Sequence, residues 1–343
     1  MHIKKQVVSE FVFPYAVVTY DGPEGKKVIV ATEAAGQCVL FNADGTGVRQ
    51  VWDGPGGTMT IWPIPGKEEF LATHEFYKGF QSKKAHLVHV KEDGNGGFIC
   101  KTILTMPFLH RFSVVDIKGG KYFVGATLCK DKDFKDDWSK PGSVYVGKLS
   151  EDYDQQLVVE KVLDGVTKNH GMYCGPHDEL KQVVMVTGVE GVFELTPPKK
   201  ADGQWITRKL LDHEVSEVRC YDLDGDGIDE LITIEKFHGD RLNIYHNDAG
   251  TYRQIYSYPV AFGHALWCGE LFGKKSILIG YKESNAALLL LQRVERDGVF
   301  SMVPTLIDEL ESASNLDVWQ DGESFNIYTA CSSGKVVRYT LSQ

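Results

Sequence analysis

The chain of 343 residues lacks any long apolar run. No segment approaches the roughly 18 uncharged apolar residues that a membrane-spanning helix needs, and the longest stretch, AALLLLQRV near residue 290, is far shorter. The first 13 residues also lack the apolar segment that is typical of a signal peptide. We therefore expect a cytoplasmic protein with no membrane partner.

Paired cysteines and an excess of positive charge are also missing. The 7 cysteines are scattered singly without a CxxC pair, which argues against a disulfide framework and for a reducing compartment. Lys and Arg total 37 against 47 for Asp and Glu, so the formal charge is −10. Such a surface repels phosphate backbones, and we expect no nucleic-acid partner.

Long helical periodicity is absent, and glycine-bounded β-rich runs take its place. A unit of about 49 residues recurs seven times, each with a strand, a tight polar turn, a second strand and a third strand. Six units continue into a more polar fourth strand, whereas the seventh runs out at Gln343. The segment IKKQVVSE at residues 3–10 matches the missing outer strand.

This pattern predicts an all-β fold, a seven-bladed β-propeller of four-stranded antiparallel blades. We expect a single domain over 1–343, with the N-terminal strand 3–10 completing the last blade and closing the ring. Two packed β-sandwiches are the alternative, but they do not explain the regular register.

Three histidines share one position when the first strands of the units are aligned. His110, His170 and His264 stand where units three, four and six enter that strand, and the other units have Pro14, Thr58, Ser216 and Ser314 there. The loop after the second strand of unit five adds His238. Neutral imidazoles from separate elements bind divalent transition metals, so we predict a Zn, Mn, Fe or Ni site formed by His110, His170, His238 and His264 at the channel mouth.

Other polar and aromatic residues are predicted to surround this site. Loops on the same face supply candidate catalytic acids and bases, which are His74, Lys236, Tyr281, Lys282 and Glu283. Aromatic faces for sugar stacking are Tyr15, Phe76, Trp138 and Phe237. We interpret His2, His86, His89, His213 and His246 as ordinary polar histidines, and His177 as structural.

The segment YDLDGDGIDELIT forms an acidic loop between the first two strands of unit five. Its oxygen-bearing groups are typical of a structural calcium site, with Asp222, Asp224, Asp226, the Ile228 carbonyl and Glu230 as ligands. A plain Asp/Gly turn without metal is the alternative.

The sequence DLDGDGIDEL resembles the signature of FG-GAP/VCBS-type propeller repeats, with Asp224 and Glu230 in place of the usual Asn and last Asp. Together with the channel-mouth histidines, it looks most like the aldos-2-ulose dehydratase-like propeller lyases. That resemblance implies metal-assisted elimination or isomerisation of a keto sugar such as 1,5-anhydrofructose or a 3-keto-glycoside.

Three functions remain open from the sequence. The first is a metal-dependent lyase, dehydratase or isomerase with a small oxidised sugar or glycoside as substrate. The second is a non-catalytic propeller that binds a protein or glycan, and the third is a metal-dependent glycoside hydrolase. A closed ring needs no second chain, so we expect a monomer or a weak homo-oligomer.

Overall fold

The computed structural model describes residues 1–77, 82–177, 180–200, 203–283, 286–296, 299–309 and 311–343. These residues contain strands and no helix, arranged as seven antiparallel sheets of four strands in a ring. The predicted seven-bladed β-propeller is confirmed. Within the described residues no helix is long and apolar enough to span a membrane.

The strands follow one another along the chain in blade order. The first is β1 (His2–Glu10), and blades one to three contain β2 (Pro14–Gly22), β3 (Gly25–Thr32), β4 (Cys38–Asn42), β5 (Arg49–Trp52), β6 (Ile61–Pro63), β7 (Glu69–His74), β8 (His86–Glu92), β9 (Phe98–Thr105), β10 (Leu109–Ile117), β11 (Gly120–Thr127), β12 (Gly142–Lys148) and β13 (Glu160–Val166).

Blades four to seven continue the same order. They contain β14 (Met172–His177), β15 (Leu180–Gly188), β16 (Gly191–Thr196), β17 (Ile206–Leu211), β18 (Glu217–Tyr221), β19 (Glu230–Glu235), β20 (Arg241–Asp248), β21 (Thr251–Pro259), β22 (Gly263–Leu271), β23 (Lys274–Tyr281), β24 (Ala287–Arg296), β25 (Val299–Glu309), β26 (Ala313–Asp321), β27 (Ser324–Cys331) and β28 (Lys335–Ser342).

The ring is closed by the N-terminal strand. β1 pairs antiparallel with β28 from His2 opposite Ser342 to Glu10 opposite Lys335, so the last sheet has the order β1-β28-β27-β26. The strand begins one residue before the predicted segment. Arg338 adds a side-chain bond across the closure, because its guanidinium donates to the Gln6 side chain at 2.6 Å.

The hydrophobic core is divided among the interfaces between blades. Alternate side chains of a strand point to opposite faces. In β3, Val28 and Val30 therefore pack against blade seven, whereas Ile29 and Ala31 pack against blade two. Each of the seven apolar clusters joins two neighbouring blades in this way. Both faces of a blade are thus buried, which explains the uninterrupted apolar middle strands in the sequence.

Candidate metal centre

A β-bulge at the start of the innermost strand directs the aligned histidines. In β10, Leu109 pairs with Thr127 and Arg111 with Ala126, so His110 is the extra residue between them. The same skip in β22 leaves His264 between Gly263 and Ala265. A bulge breaks the alternation of the strand and re-aims a side chain. It thus directs His110 and His264 to the channel mouth, whereas His170 lies two residues before β14.

The bulge corrects one alignment made from the sequence. In β2, Pro14 pairs with Thr32 and Ala16 with Ala31, so Tyr15, and not Pro14, occupies the position of the histidines. The Tyr15 ring stands edge-on to the His264 ring, with 5.6 Å between the centroids. In blade seven the aligned Ser314 is indeed the extra residue.

Three of the four predicted metal ligands converge. One nitrogen from each of His170, His238 and His264 lies within 4.8 Å of the other two. Their ring centroids are 4.7 to 5.2 Å apart. His238 comes from the loop between β19 and β20, where its backbone N–H donates to the Ser216 hydroxyl at 3.2 Å. The site therefore combines blades four, five and six.

His110 lies beside this group of three and not within it. Its ring centroid is 5.2 Å from that of His170. Its Nδ1 is buried and has no hydrogen-bond partner among the residues that the structure describes. The prediction of a fourth metal ligand at this position therefore has no support from the geometry of the cluster.

The hydrogen bond made by one ring nitrogen of a histidine determines which nitrogen is left to bind a metal. His170 Nδ1 lies 2.9 Å from a carboxylate oxygen of Glu217, and His264 Nδ1 lies 2.5 Å from the carbonyl oxygen of Ser314. Metal-binding histidines almost always donate their second N–H to such an acceptor. Each ring is thereby left with Nε2 as its available lone pair. Nε2 of His238 is likewise buried without a partner in the described part of the chain.

All four imidazoles of the mouth are held neutral. Burial lowers the pKa of His110, His170 and His264 well below the ordinary value, and the positive charge of Arg111 acts in the same direction. The pKa of His238 falls to about 2, mainly through burial and then through His170 and Lys282. A neutral imidazole is the form that donates a lone pair to a metal.

Aromatic rings pack against the histidines, and their predicted role in sugar stacking stays a prediction. Phe237 and Phe262 have their ring centroids 4.1 and 4.5 Å from that of His238, and Phe76 lies 4.8 Å from His110. Trp138 packs edge-on against Phe237 at 6.3 Å. Lys132 Nζ lies 3.2 Å above the centre of the Trp138 ring, so one face of that indole is already covered.

Of the predicted acids and bases, Lys282 is the one that acts on the cluster. Its charge lowers the pKa of His170, His238 and His264. Glu283 and Lys236 are exposed, and Tyr281 packs in the apolar core between blades five and six. His74 is buried beside Trp52 and His86, with ring centroids at 4.5 and 5.6 Å, outside the group of three histidines.

A polar cavity of about 180 Å³ occupies the central channel, and His264 lines it. The charged residues of its lining are Arg111, Glu217 and Arg219, none of which the sequence analysis selected. Burial raises the pKa of Glu217, opposed by the charges of Arg219 and Arg111. These three residues could have been found from the sequence, because charged residues are rare in a buried inner strand. They lie outside the aligned histidine position.

The acidic loop forms a second cluster of ligand types. Asp224, Asp226 and Glu230 converge with His246, which the sequence analysis had treated as an ordinary polar residue. His246 Nδ1 lies 2.8 Å from Glu230 and 3.7 Å from Asp224. Asp222 is outside the cluster and accepts from the Gly225 backbone N–H at 2.6 Å. Ile228 donates its N–H to Asp226 at 2.8 Å.

Comparison with known proteins identifies the fold and nothing narrower. No protein-family model matches the chain, and no curated protein sequence matches it. A chain in the crystal structure of the mitotic checkpoint complex superposes with a TM-score of 0.60 at 10% identity, over 98% of this chain and 94% of that one. A putative 6-phosphogluconolactonase from Bacteroides uniformis gives 0.54 at 11% identity, over 96% of each chain. The resemblance to FG-GAP/VCBS repeats and to aldos-2-ulose dehydratase-like lyases therefore stays a prediction.

Proposed function

We propose that this propeller is a metal-dependent lyase or isomerase that acts on a small keto sugar at the channel mouth. The observation that carries the proposal is the convergence of three neutral imidazoles, two of which have their second nitrogen held by an outer acceptor. The donor set suits Zn²⁺, Mn²⁺, Fe²⁺ or Ni²⁺. Nε2 of His238 is buried and has no partner among the residues that the structure describes, which supports the assignment because a polar atom in that state costs free energy.

His170, His238 and His264 would hold the metal and leave part of its coordination sphere open. When bound, a divalent metal supplies a Lewis acid for the carbonyl oxygen of the sugar and its neighbouring hydroxyl. Phe237 and Phe262 pack against His238 and keep water from its ring. Polarisation of the carbonyl makes the adjacent C–H acidic, which is the first requirement for elimination or isomerisation.

Elimination moves one proton away from carbon and delivers one to the departing oxygen. His110 hydrogen-bonds the backbone of Asn169, and its buried Nδ1 remains as a neutral acceptor near the cluster. We assign the removal of the α proton to this nitrogen. Lys282, whose charge acts on the three ligand histidines, delivers a proton to the departing β-oxygen. The C–H and C–O bonds break and a C=C bond forms, so no external oxidant is needed.

Elemental analysis tests the metal site directly. The protein should be purified without chelator and without a nickel column, and compared with the double variant His170→Ala/His264→Ala. We expect near-stoichiometric transition metal in the wild type and its loss in the variant, with unchanged circular dichroism. The matched control is His2→Ala/His213→Ala, which removes two histidines outside the cluster. An unchanged metal content in the first variant would contradict the proposal.

Product analysis then identifies the reaction. Incubation with 1,5-anhydrofructose and with 3-keto-glycosides is expected to give an unsaturated or rearranged ketone. Cleavage of a glycoside into a saturated free sugar and its alcohol would instead indicate a hydrolase. Metal binding without turnover of any keto sugar would favour the non-catalytic propeller.

A further inference from the structure

The polar cavity in the central channel is lined by two positively charged residues and one negatively charged residue. The cavity is lined by the innermost strands of all seven blades or by the segments that enter them, and three of the lining residues are charged. Arg111 and Arg219 contribute one positive charge each and Glu217 one negative charge, while His264 is neutral. The lining therefore has a net charge of about +1, although the chain as a whole has a formal net charge of −10.

Glu217 forms ion pairs with both guanidinium groups, but its single negative charge cannot balance two positive ones. Its carboxylate is committed to His170 Nδ1 at 2.9 Å. The nearest nitrogens of Arg111 and Arg219 lie 3.7 and 3.5 Å from it, longer than a charge-assisted hydrogen bond. A single buried carboxylate is thus shared by two cations at a distance.

The two arginines differ in how many donors they have left. Arg111 is a built part of the channel wall, since it donates to the His170 carbonyl at 2.7 Å, the Met59 carbonyl at 2.7 Å and the Tyr15 hydroxyl at 3.0 Å. Arg219 uses only Nη1, for the Val218 and Met172 carbonyls. Its Nε and Nη2 make no hydrogen bond to any residue in the described ranges. That edge of the guanidinium is the one that binds oxyanions in a bidentate manner.

We propose that the channel binds an oxyanion, a carboxylate or phosphoryl group, on a sugar-sized ligand, with Arg219 as its principal contact and Arg111 as the supporting charge. His264 lines the same cavity and belongs to the candidate metal centre. An anionic ligand held by Arg219 would therefore extend toward the histidines. The inference deepens the proposed function by naming an acidic sugar as the substrate class, and it rests on that function only for the position of the reacting end.

Calorimetric titration of chelator-treated protein separates this inference from the metal site. The probes are D-glucuronate, D-glucose 6-phosphate and neutral D-glucose. We expect at least one of the two anions to bind and D-glucose to bind at least tenfold more weakly. Binding of glucuronate alone assigns a carboxylate, and binding of the phosphate ester alone assigns a phosphoryl group. If neither anion binds, or if glucose binds as tightly as they do, the inference is overturned, whatever the metal content of the protein.

Two channel variants should change the affinity in opposite directions. Arg219→Gln removes the charge and the free donor edge, so the anion should bind at least tenfold more weakly. Glu217→Gln keeps the side-chain shape and removes the competing negative charge, so the anion should bind about fivefold more tightly. Arg253→Gln, an exposed arginine paired with Asp248 on blade five, is the matched control and should bind as the wild type does. Misfolding cannot give a gain in affinity, and wild-type affinity in Arg219→Gln would refute the site.

Discussion

Two clusters of side chains of metal-ligand type lie at the two ends of β19. They differ in burial and in whether their ligand atoms already have hydrogen-bond partners. The loop that follows the strand supplies His238 to a group of neutral, buried imidazoles with nitrogens left unpaired in the described chain. The loop that precedes it supplies carboxylates that are exposed or bonded to each other's backbone and to His246. Burial lowers the pKa values at the mouth, whereas the hydrogen bond to Glu230 raises the pKa of His246.

Side chains of metal-ligand type can lie close together without being free to bind a metal. At the mouth, His110 Nδ1 and His238 Nε2 have no partner among the described residues, and a cation would satisfy such a lone pair. In the acidic loop, His246 already contacts Glu230 and Asp224, and the hydrogen bond to Glu230 raises the pKa of His246. A structural calcium at Asp222, Asp224, Asp226, Ile228 and Glu230 remains a prediction, and a cation there competes with His246 for the carboxylate of Glu230.

The largest expected difference between the two clusters concerns metal content. His238→Ala removes one of three ligands and should lower transition-metal affinity by more than about 100-fold. Asp226→Asn, in the other cluster, should leave the transition-metal content of the protein unchanged. Metal analysis after dialysis measures both. An equal loss of transition metal in the two variants would show that the two clusters do not differ in metal binding.

The second prediction concerns the outer acceptor of His170. Glu217→Gln keeps a hydrogen-bond acceptor for His170 Nδ1 but removes its charge, so metal affinity should fall by about 10- to 100-fold. A competition titration with a chromogenic chelator gives the affinity. Glu194→Gln provides the control, because Glu194 is a buried carboxylate that hydrogen-bonds His177 away from the mouth. A wild-type affinity in Glu217→Gln would show that this carboxylate does not tune the ligand.

The third prediction uses the pH dependence of the metal-free protein. A histidine with a lowered pKa in the folded state binds fewer protons than in the unfolded state, so its cost to stability grows as pH falls below about 6.5. Each mouth histidine should contribute up to about 1 kcal/mol per pH unit in that range. His170→Ala/His264→Ala should therefore unfold with a flatter pH profile between pH 6.5 and 5. Chemical denaturation at several pH values measures this, and parallel profiles would contradict it.

The smallest expected effect belongs to His246 and has the opposite sign. Its raised pKa stabilises the fold below the unfolded value of about 6.5, and this stabilisation is lost as pH rises through the folded pKa. The side chain is partly solvated, so screening limits the effect to a shift of the melting temperature on the order of 1 °C. His246→Ala should thus lower the melting temperature at pH 5.5 and have no effect at pH 8.5. Thermal unfolding of both proteins at the two pH values measures this, and an equal change in melting temperature at both would contradict it.

The repeat pattern was sufficient to predict the propeller, because both faces of every blade are buried and the alternation of apolar residues is regular. Ring closure followed from counting strands. The position of Tyr15 was missed because β2 was aligned one residue out of register; the bulge itself also occurs in β10, β22 and β26, where the alignment was correct. Likewise, Arg111 and Arg219 line one cavity because seven inner strands surround the same channel. The sequence of a single repeat does not show this arrangement.

His246 illustrates a different limit of the sequence argument. It is separated from Glu230 by 16 positions in the sequence. Antiparallel pairing of β19 with β20 places Leu231 opposite Tyr245, so Glu230, just before Leu231, lies beside His246, just after Tyr245. The alignment of first strands could not reveal this contact. An alignment of second and third strands within each blade would have paired the two residues.

Closure of the ring by β1 has a consequence for synthesis of the chain. β1 is synthesised before the other strands of the ring, but its partner β28 begins at Lys335. Until then the outer strand has no sheet to join, and β2, β3 and β4 lack the neighbour that covers their blade-seven face. The ring can therefore close only after β28 has been synthesised, and before that point the nascent chain exposes an unpaired strand and an apolar face to chaperones and proteases.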